Sequence, residues 1–158
     1  MNDLARKVGR RLRAAGAMLV TAESCTGGWV SEVVTSVSGS SRWFERGFVT
    51  YSDAAKRQML GVNKKTLRKH GAVSQETARE MAKGALKRSR GTIAVAVTGV
   101  AGPTGGSAAK PVGTVCFSWR TEKTSRSETQ HFKGDRESVR RQSVVRALEG
   151  VLELLDGG

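Results

Sequence analysis

The run Thr92-Ile93-Ala94-Val95-Ala96-Val97-Thr98 constrains this chain most. It has strand length, carries no charge and does not alternate apolar with polar positions, so a strand here must be covered on both faces. The remaining segments supply such cover. Leu4, Val8 and Leu12 stand at i, i+4 and i+8 among arginines and lysines, which predicts an amphipathic helix over 3–15 stopped by Gly16. Trp29, Val30, Val33, Val34 and Val37 recur at helical spacing, Ser52 or Asp53 caps a helix over Ala54–Leu60 that Gly61 stops, and residues 64–70 form a short basic helix. Ser74 caps a longer helix through Thr77, Met81, Ala85 and Leu86, and the last helix follows Gly134-Asp135 with Val144, Ala147, Leu148, Val151 and Leu155 inward. Met18–Ala22, Phe44–Tyr51 and Val112–Trp119 read as further strands, and a polar turn over 120–127 leads to a hairpin partner at Glu128–Phe132. This order predicts a three-layer α/β/α sandwich on a mixed, mostly parallel central sheet, with residues 1–158 as a single domain.

Charge narrows the function classes. Lys and Arg number 27 against 14 Asp and Glu, a formal net charge of +13, which suits an anionic ligand. The cations are dispersed among helical apolar positions, as on solvated helix faces, and neither zinc-finger spacing nor an aromatic platform accompanies them. Nucleic-acid binding is therefore expected to be at most weak and non-specific. Cys25 and Cys116 are too few for a disulfide framework or a cysteine-based zinc site, so no metal is expected. No signal-peptide pattern opens the chain and no run approaches the ~18 apolar residues of a membrane span, so the expected location is the cytoplasm.

Two stretches carry the chemistry. Thr21-Ala22-Glu23-Ser24-Cys25-Thr26-Gly27-Gly28 joins a strand to a helix, which places Ser24 near unpaired helix-start N–H groups that favour a developing oxyanion. Ser, Thr and Gly are also the ordinary residues of such a turn. The second stretch, Gly99-Val100-Ala101-Gly102-Pro103-Thr104-Gly105-Gly106, follows the apolar strand. It lacks the ending of a phosphate-binding loop and the glycine spacing of a dinucleotide fingerprint, yet strand-end glycine loops in α/β sheets collect ligands. His70 and His131 have no local pattern of a catalytic base. A lysine replaces histidine where burial lowers its pKa, and Lys56 follows Tyr51 by five residues.

Six ordered blocks carry a resemblance. The Thr21–Gly28 turn, Gly47-Phe48-Val49-Thr50-Tyr51-Ser52 with Lys56, Gly71-Ala72-Val73-Ser74, Thr98-Gly99-Val100-Ala101-Gly102-Pro103, Lys110-Pro111-Val112-Gly113-Thr114-Val115, and Gly134-Asp135-Arg136 with Val139-Arg140-Arg141-Gln142 together resemble the CinA C-terminal domain family. They are similar in particular to its stand-alone nicotinamide-nucleotide amidases. The resemblance implies hydrolysis of the carboxamide of nicotinamide mononucleotide to nicotinate mononucleotide and ammonia, in pyridine-nucleotide salvage, without a cofactor and as a homo-oligomer. It implies Ser24 as nucleophile, Lys56 as its base, Tyr51 in the proton network and Arg140 near the nucleotide. Thr26 and Gly27 are the expected oxyanion donors, and Thr98, Gly99, Gly102 and Gly105 line the expected substrate site. Val100 and Thr104 stand where the family usually has Ile and Gly or Asp, departures that touch substrate contacts. Two alternatives accompany this reading: an amidase using the Cys25 thiol, and a non-enzymatic nucleotide- or DNA-binding module of the competence and damage-inducible kind.

Overall fold

Five strands form one mixed sheet in the computed structural model, which describes residues 1–157; Gly158 lies outside them. β1 is Leu19–Glu23, β2 Phe44–Val49, β3 Ile93–Gly99, β4 Thr114–Thr121 and β5 Ser125–His131, in the spatial order β2-β1-β3-β4-β5. β1 pairs in parallel with β2 and β3, while the β3–β4 and β4–β5 pairs are antiparallel. Only β4 is therefore reversed relative to the others.

The helices are α1 (Asn2–Ala14), α2 (Trp29–Thr35), α3 (Asp53–Leu60), α4 (Lys64–His70), α5 (Gln75–Lys87) and α6 (Arg136–Gly157). Successive strand residues point to opposite faces, so β3 divides its side chains between two cores. Ile93, Val95 and Val97 join Val8, Leu12, Val30, Val34, Val144 and Leu148 beneath α1, α2 and α6. Ala94 and Ala96 join Leu60, Met81, Ala82 and Ala85 beneath α3 and α5. This is the physical reason for the unbroken apolar run, and the sandwich follows from it.

Side-chain caps set three helix starts. Ser52 Oγ accepts from the Ala55 N–H at 3.0 Å, Asn63 Oδ1 from Lys65 at 2.9 Å and Ser74 Oγ from Thr77 at 3.1 Å. The largest departure from the sequence reading is the hairpin. β4 continues to Thr121 and β5 begins at Ser125, leaving a tight turn in place of the expected polar segment over 120–127. Thr121 N–H donates to the Thr124 carbonyl at 2.8 Å and the two hydroxyls lie 2.9 Å apart, so threonines close the turn. β5 is a polar edge strand, and its composition gave no apolar signal to mark its start.

α6 is seated on β4 by Trp119. The indole Nε1–H donates to the Ala147 carbonyl at 2.9 Å, and the ring stacks on Phe117 with centroids 5.5 Å apart. A Cβ at Gly150 would stand 2.0 Å from Trp119 Cε2, so the helix approaches this closely only because that position has no side chain. Among the described residues no helix is long and apolar enough to cross a membrane. Gly150→Ala is expected to reduce unfolding free energy by about 1–3 kcal/mol through overpacking, measured by urea unfolding.

Candidate active site

The parallel strands end at one level. Glu23 of β1 stands opposite Val49 of β2 and Val97 of β3. Past that level, Ser24 N–H donates to the Val97 carbonyl and Thr50 N–H to the Glu23 carbonyl, both at 2.9 Å. Ser24 is thus fixed at the carboxyl end of the central parallel strand, the ligand-binding end of an open α/β sheet.

Lys56 reaches Ser24 from α3. The Ser52 cap starts that helix, and Lys56 in its first turn points its side chain inward, where it is 1% exposed. Nζ lies 2.9 Å from Ser24 Oγ and donates to the carbonyls of Thr50 at 3.0 Å and Tyr51 at 3.2 Å. Among the described residues no carboxylate pairs with it. Burial therefore holds the amine below the ordinary lysine pKa, opposed by weaker attraction from Asp53 and Cys25. Nζ thus touches three neutral oxygens, two backbone carbonyls and the Ser24 hydroxyl. Thr50 has a further peculiarity: its Oγ1 is the one buried side-chain oxygen without a hydrogen-bond partner among the described residues.

The turn is held by a residue that sequence reasoning did not single out. The buried Glu23 carboxylate accepts from Thr26 Oγ1 at 2.7 Å, Val30 N–H at 2.8 Å, Ser31 N–H at 3.0 Å and Ser31 Oγ at 2.7 Å. The first-turn amides of α2 are therefore already satisfied and do not face Ser24. Gly27 departs from expectation for a related reason, since its N–H closes a turn on the Ser24 carbonyl at 3.0 Å. The N–H groups of Cys25 and Thr26 donate to no other described residue. A carboxylate seven and eight residues before the amides it caps lies outside the usual local capping pattern, and only the Glu beside the serine hinted at it.

Arg140 also braces the turn. Its Nε donates to the Cys25 carbonyl at 3.0 Å and its Nη2 to the Thr26 carbonyl at 3.1 Å, and its guanidinium lies 5.3 Å from the Trp29 ring centre. The Cys25 side chain turns into the core, where burial pushes its thiol up to about 12. That is the reverse of the acidified thiol a cysteine nucleophile needs. Tyr51 contributes its carbonyl to Lys56, whereas its exposed phenol accepts from Arg136 Nη2 at 3.3 Å. Arg136 Nη1 donates to the Gly102 carbonyl at 2.7 Å and thereby ties the glycine loop to α6. It was quoted only within a motif and given no role.

The glycine loop is built by its own packing. A Cβ at Gly102 would meet Val112 Cγ1 at 2.3 Å and one at Gly99 would meet Val115 Cγ2 at 2.7 Å. Gly102 and Gly105 also have positive φ, +80° and +93°. Thr98, beside Ser24 in the strand-end row, donates its hydroxyl to the Ala72 carbonyl at 2.8 Å. A depression of about 510 Å³ lined by Trp29, Arg136, Glu137 and Arg140 adjoins the turn. His70 and His131 lie together along a different concavity, with Cys116. No group of three or more His, Cys, Asp or Glu suited to a metal occurs among the described residues.

The profile of the CinA C-terminal domain matches residues 1–155. The chain belongs to that family. It is 56% identical over 150 residues to the nicotinamide-nucleotide amidohydrolase PncC of Escherichia coli (strain K12), covering 93% of this chain and 90% of that protein. Over 154 residues it is 53% identical to PncC of Pseudomonas putida, covering 98% and 96%. Among solved structures, the competence/damage inducible protein CihA of Agrobacterium tumefaciens superimposes with a TM-score of 0.93 at 46% identity, covering 98% of this chain and 94% of that one. A CinA superfamily protein of Klebsiella pneumoniae gives 0.96 at 38%, covering 99% and 98%. The family likeness thus spans the sandwich and every segment of the site.

A buried amine leaves a signature in stability. The folded protein releases the Lys56 proton at lower pH than the unfolded chain, so between those two pKa values the unfolded chain binds more protons and stability rises with pH. Below the folded pKa both states carry the proton and the cost of burying an ammonium is fully present. Relative to Lys56→Met, wild type is therefore expected to gain stability as pH rises toward 10.5, the ordinary lysine value. Urea unfolding of both proteins at several alkaline pH values checks this.

Proposed function

We propose that this chain, as one domain in the cytoplasm, hydrolyses the carboxamide of nicotinamide mononucleotide to nicotinate mononucleotide and ammonia, returning the product to pyridine-nucleotide salvage. The observation that carries the reading is the 2.9 Å approach of the buried Lys56 amine to Ser24 Oγ, with Nζ held also by the carbonyls of Thr50 and Tyr51. The named activity of the PncC relatives supports the substrate. Ser24 attacks the amide carbon while Lys56 takes the hydroxyl proton. The oxyanion meets the N–H groups of Cys25 and Thr26, which Glu23 and Arg140 hold in place. Lys56 passes the proton to the departing nitrogen, the C–N bond breaks, and ammonia leaves an acyl ester on Ser24. Lys56, neutral again, takes a proton from water as that water attacks the ester and returns it to Ser24 Oγ as the acid leaves, which then gives its remaining proton to solvent and becomes the carboxylate.

Recognition of the phosphate falls to Arg136 in this reading. Arg140 is engaged by two loop carbonyls, whereas Arg136 reaches the mouth of the site and has donors to spare beyond Gly102 and Tyr51. Arg136→Ala is expected to raise KM for the mononucleotide more than it lowers kcat, and Arg140→Ala to lower kcat by loosening the turn. A KM effect confined to Arg140→Ala would reverse these assignments.

Ammonia release by the purified protein tests the whole proposal. Nicotinamide mononucleotide is expected to turn over and free nicotinamide to be a poor substrate. Ser24→Ala and Lys56→Ala should each lower kcat at least ~10³-fold, and together scarcely further, because the pair acts as a unit. Cys25→Ala should keep most activity. The kcat/KM profile should rise through an ionisation below the ordinary lysine range that Lys56→Ala abolishes. Turnover that survives Ser24→Ala, or no release of ammonia from the mononucleotide, would reject it.

A further inference from the structure

The arginines of α1 divide into two groups. Arg6 pairs with Asp3 and Arg11 with Asp156, whereas Arg10 and Arg13 make no side-chain hydrogen bond to another described residue. They share a groove of about 450 Å³ with Arg42, from the 3-10 turn Ser40–Arg42, which is likewise unpartnered. Arg6 lines the same groove, and no carboxylate does. The juxtaposition is built by close packing. A Cβ at Gly9 would stand 2.6 Å from Trp43 Cζ2, so the buried indole lies directly on the α1 backbone and draws the adjoining turn, with Arg42, against the helix.

Three guanidiniums without an ion-pair partner thus line one concavity, Arg10 and Arg13 from α1 and Arg42 from the adjoining turn. Arginine forks match phosphate oxygens in pairs. One phosphate occupies one or two such forks, whereas three in one groove suit adjacent phosphates. The groove floor is formed by Gly9, Trp43 and Val37, with no exposed aromatic face on which a base would stack. Its place in the fold separates it from the reacting serine. Trp43 pairs through its carbonyl with Leu19 at the start of β1, while Ser24 follows the end of that strand, about 16 Å away at ~3.3 Å per residue.

We propose that the groove between α1 and the 40–42 turn is a second ligand site, distinct from the Ser24 site, that binds an oligophosphate: free pyrophosphate or tripolyphosphate, or the phosphate tail of a nucleoside di- or triphosphate. The ligand is held by its phosphates and is not turned over.

Isothermal titration of the full chain at about 150 mM salt with sodium tripolyphosphate, ADP and ATP in separate arms tests this. Saturable one-to-one binding is expected. Comparable affinities in all arms identify the phosphates as the recognised group, and a clear preference for one arm identifies the source. Arg10→Gln, Arg13→Gln and Arg42→Gln should each weaken tripolyphosphate binding about tenfold, as loss of one charge-assisted contact does. Lys83→Gln and Lys123→Gln, which line a separate basic concavity, should not. Arg42→Lys keeps the charge but not the fork and should also weaken binding, a control should Arg42→Gln disturb the turn. Thermal melts verify that each variant is folded. Equal weakening by the Lys83 and Lys123 variants would show diffuse surface attraction and overturn the site. So would no binding in any arm.

Discussion

Glu23 turns its side chain out of β1 into the interior, where four donors from the next eight residues meet it. A buried carboxylate without such donors would cost several kcal/mol, so the sequence after β1 has little choice of path. Thr26 must bend back toward the strand, and α2 must begin where its amides reach the same two oxygens. Ser24 and Cys25 lie inside that closed figure, and Arg140 grips their side from α6 through the carbonyls of Cys25 and Thr26. The position of the serine hydroxyl is thus set by groups that never touch it.

Arg146 and Lys56 show how differently this fold treats its inner cations. Arg146 donates to Glu128 and Glu153 and lies over the Trp119 ring, and those partners hold its charge firmly. Lys56 is surrounded by neutral oxygens alone, and burial weakens its hold on a proton. An ion pair at the second place would quiet the amine. Neutral acceptors leave the cost of burying its charge uncompensated by any carboxylate, and the two well-filled cores must offset it.

The sandwich was legible because its evidence is local. Unbroken apolar runs marked the inner strands, and Ser52 and Ser74 marked helix starts that the structure bears out. The hairpin was misjudged because β5 is an exposed edge strand of Ser, Arg, Glu and Thr, whose pairing is decided by its neighbour. At the site, the proximity of Ser24 and Lys56 spans 32 positions and was carried by the family resemblance, since no spacing rule connects a strand-end turn to a residue of a later helix. Glu23 went unremarked for the opposite reason: a glutamate next to a serine looks ordinary until its burial is seen. Arg136 and Arg140 are four apart on one helix, and only the fold separates the one bound to the serine turn from the one bound to the glycine loop.

The reversal of β4 has a consequence for how such molecules diversify. The returning chain brings the connection between Gly99 and Thr114 beside the first turn of α6, where Arg136 holds the Gly102 carbonyl, while Ser24 follows β1 and Lys56 projects from α3. Neither segment supplies a contact between Ser24 Oγ and Lys56 Nζ. The loop and the helix start are therefore free to change in length or composition while the serine and the amine keep their separation.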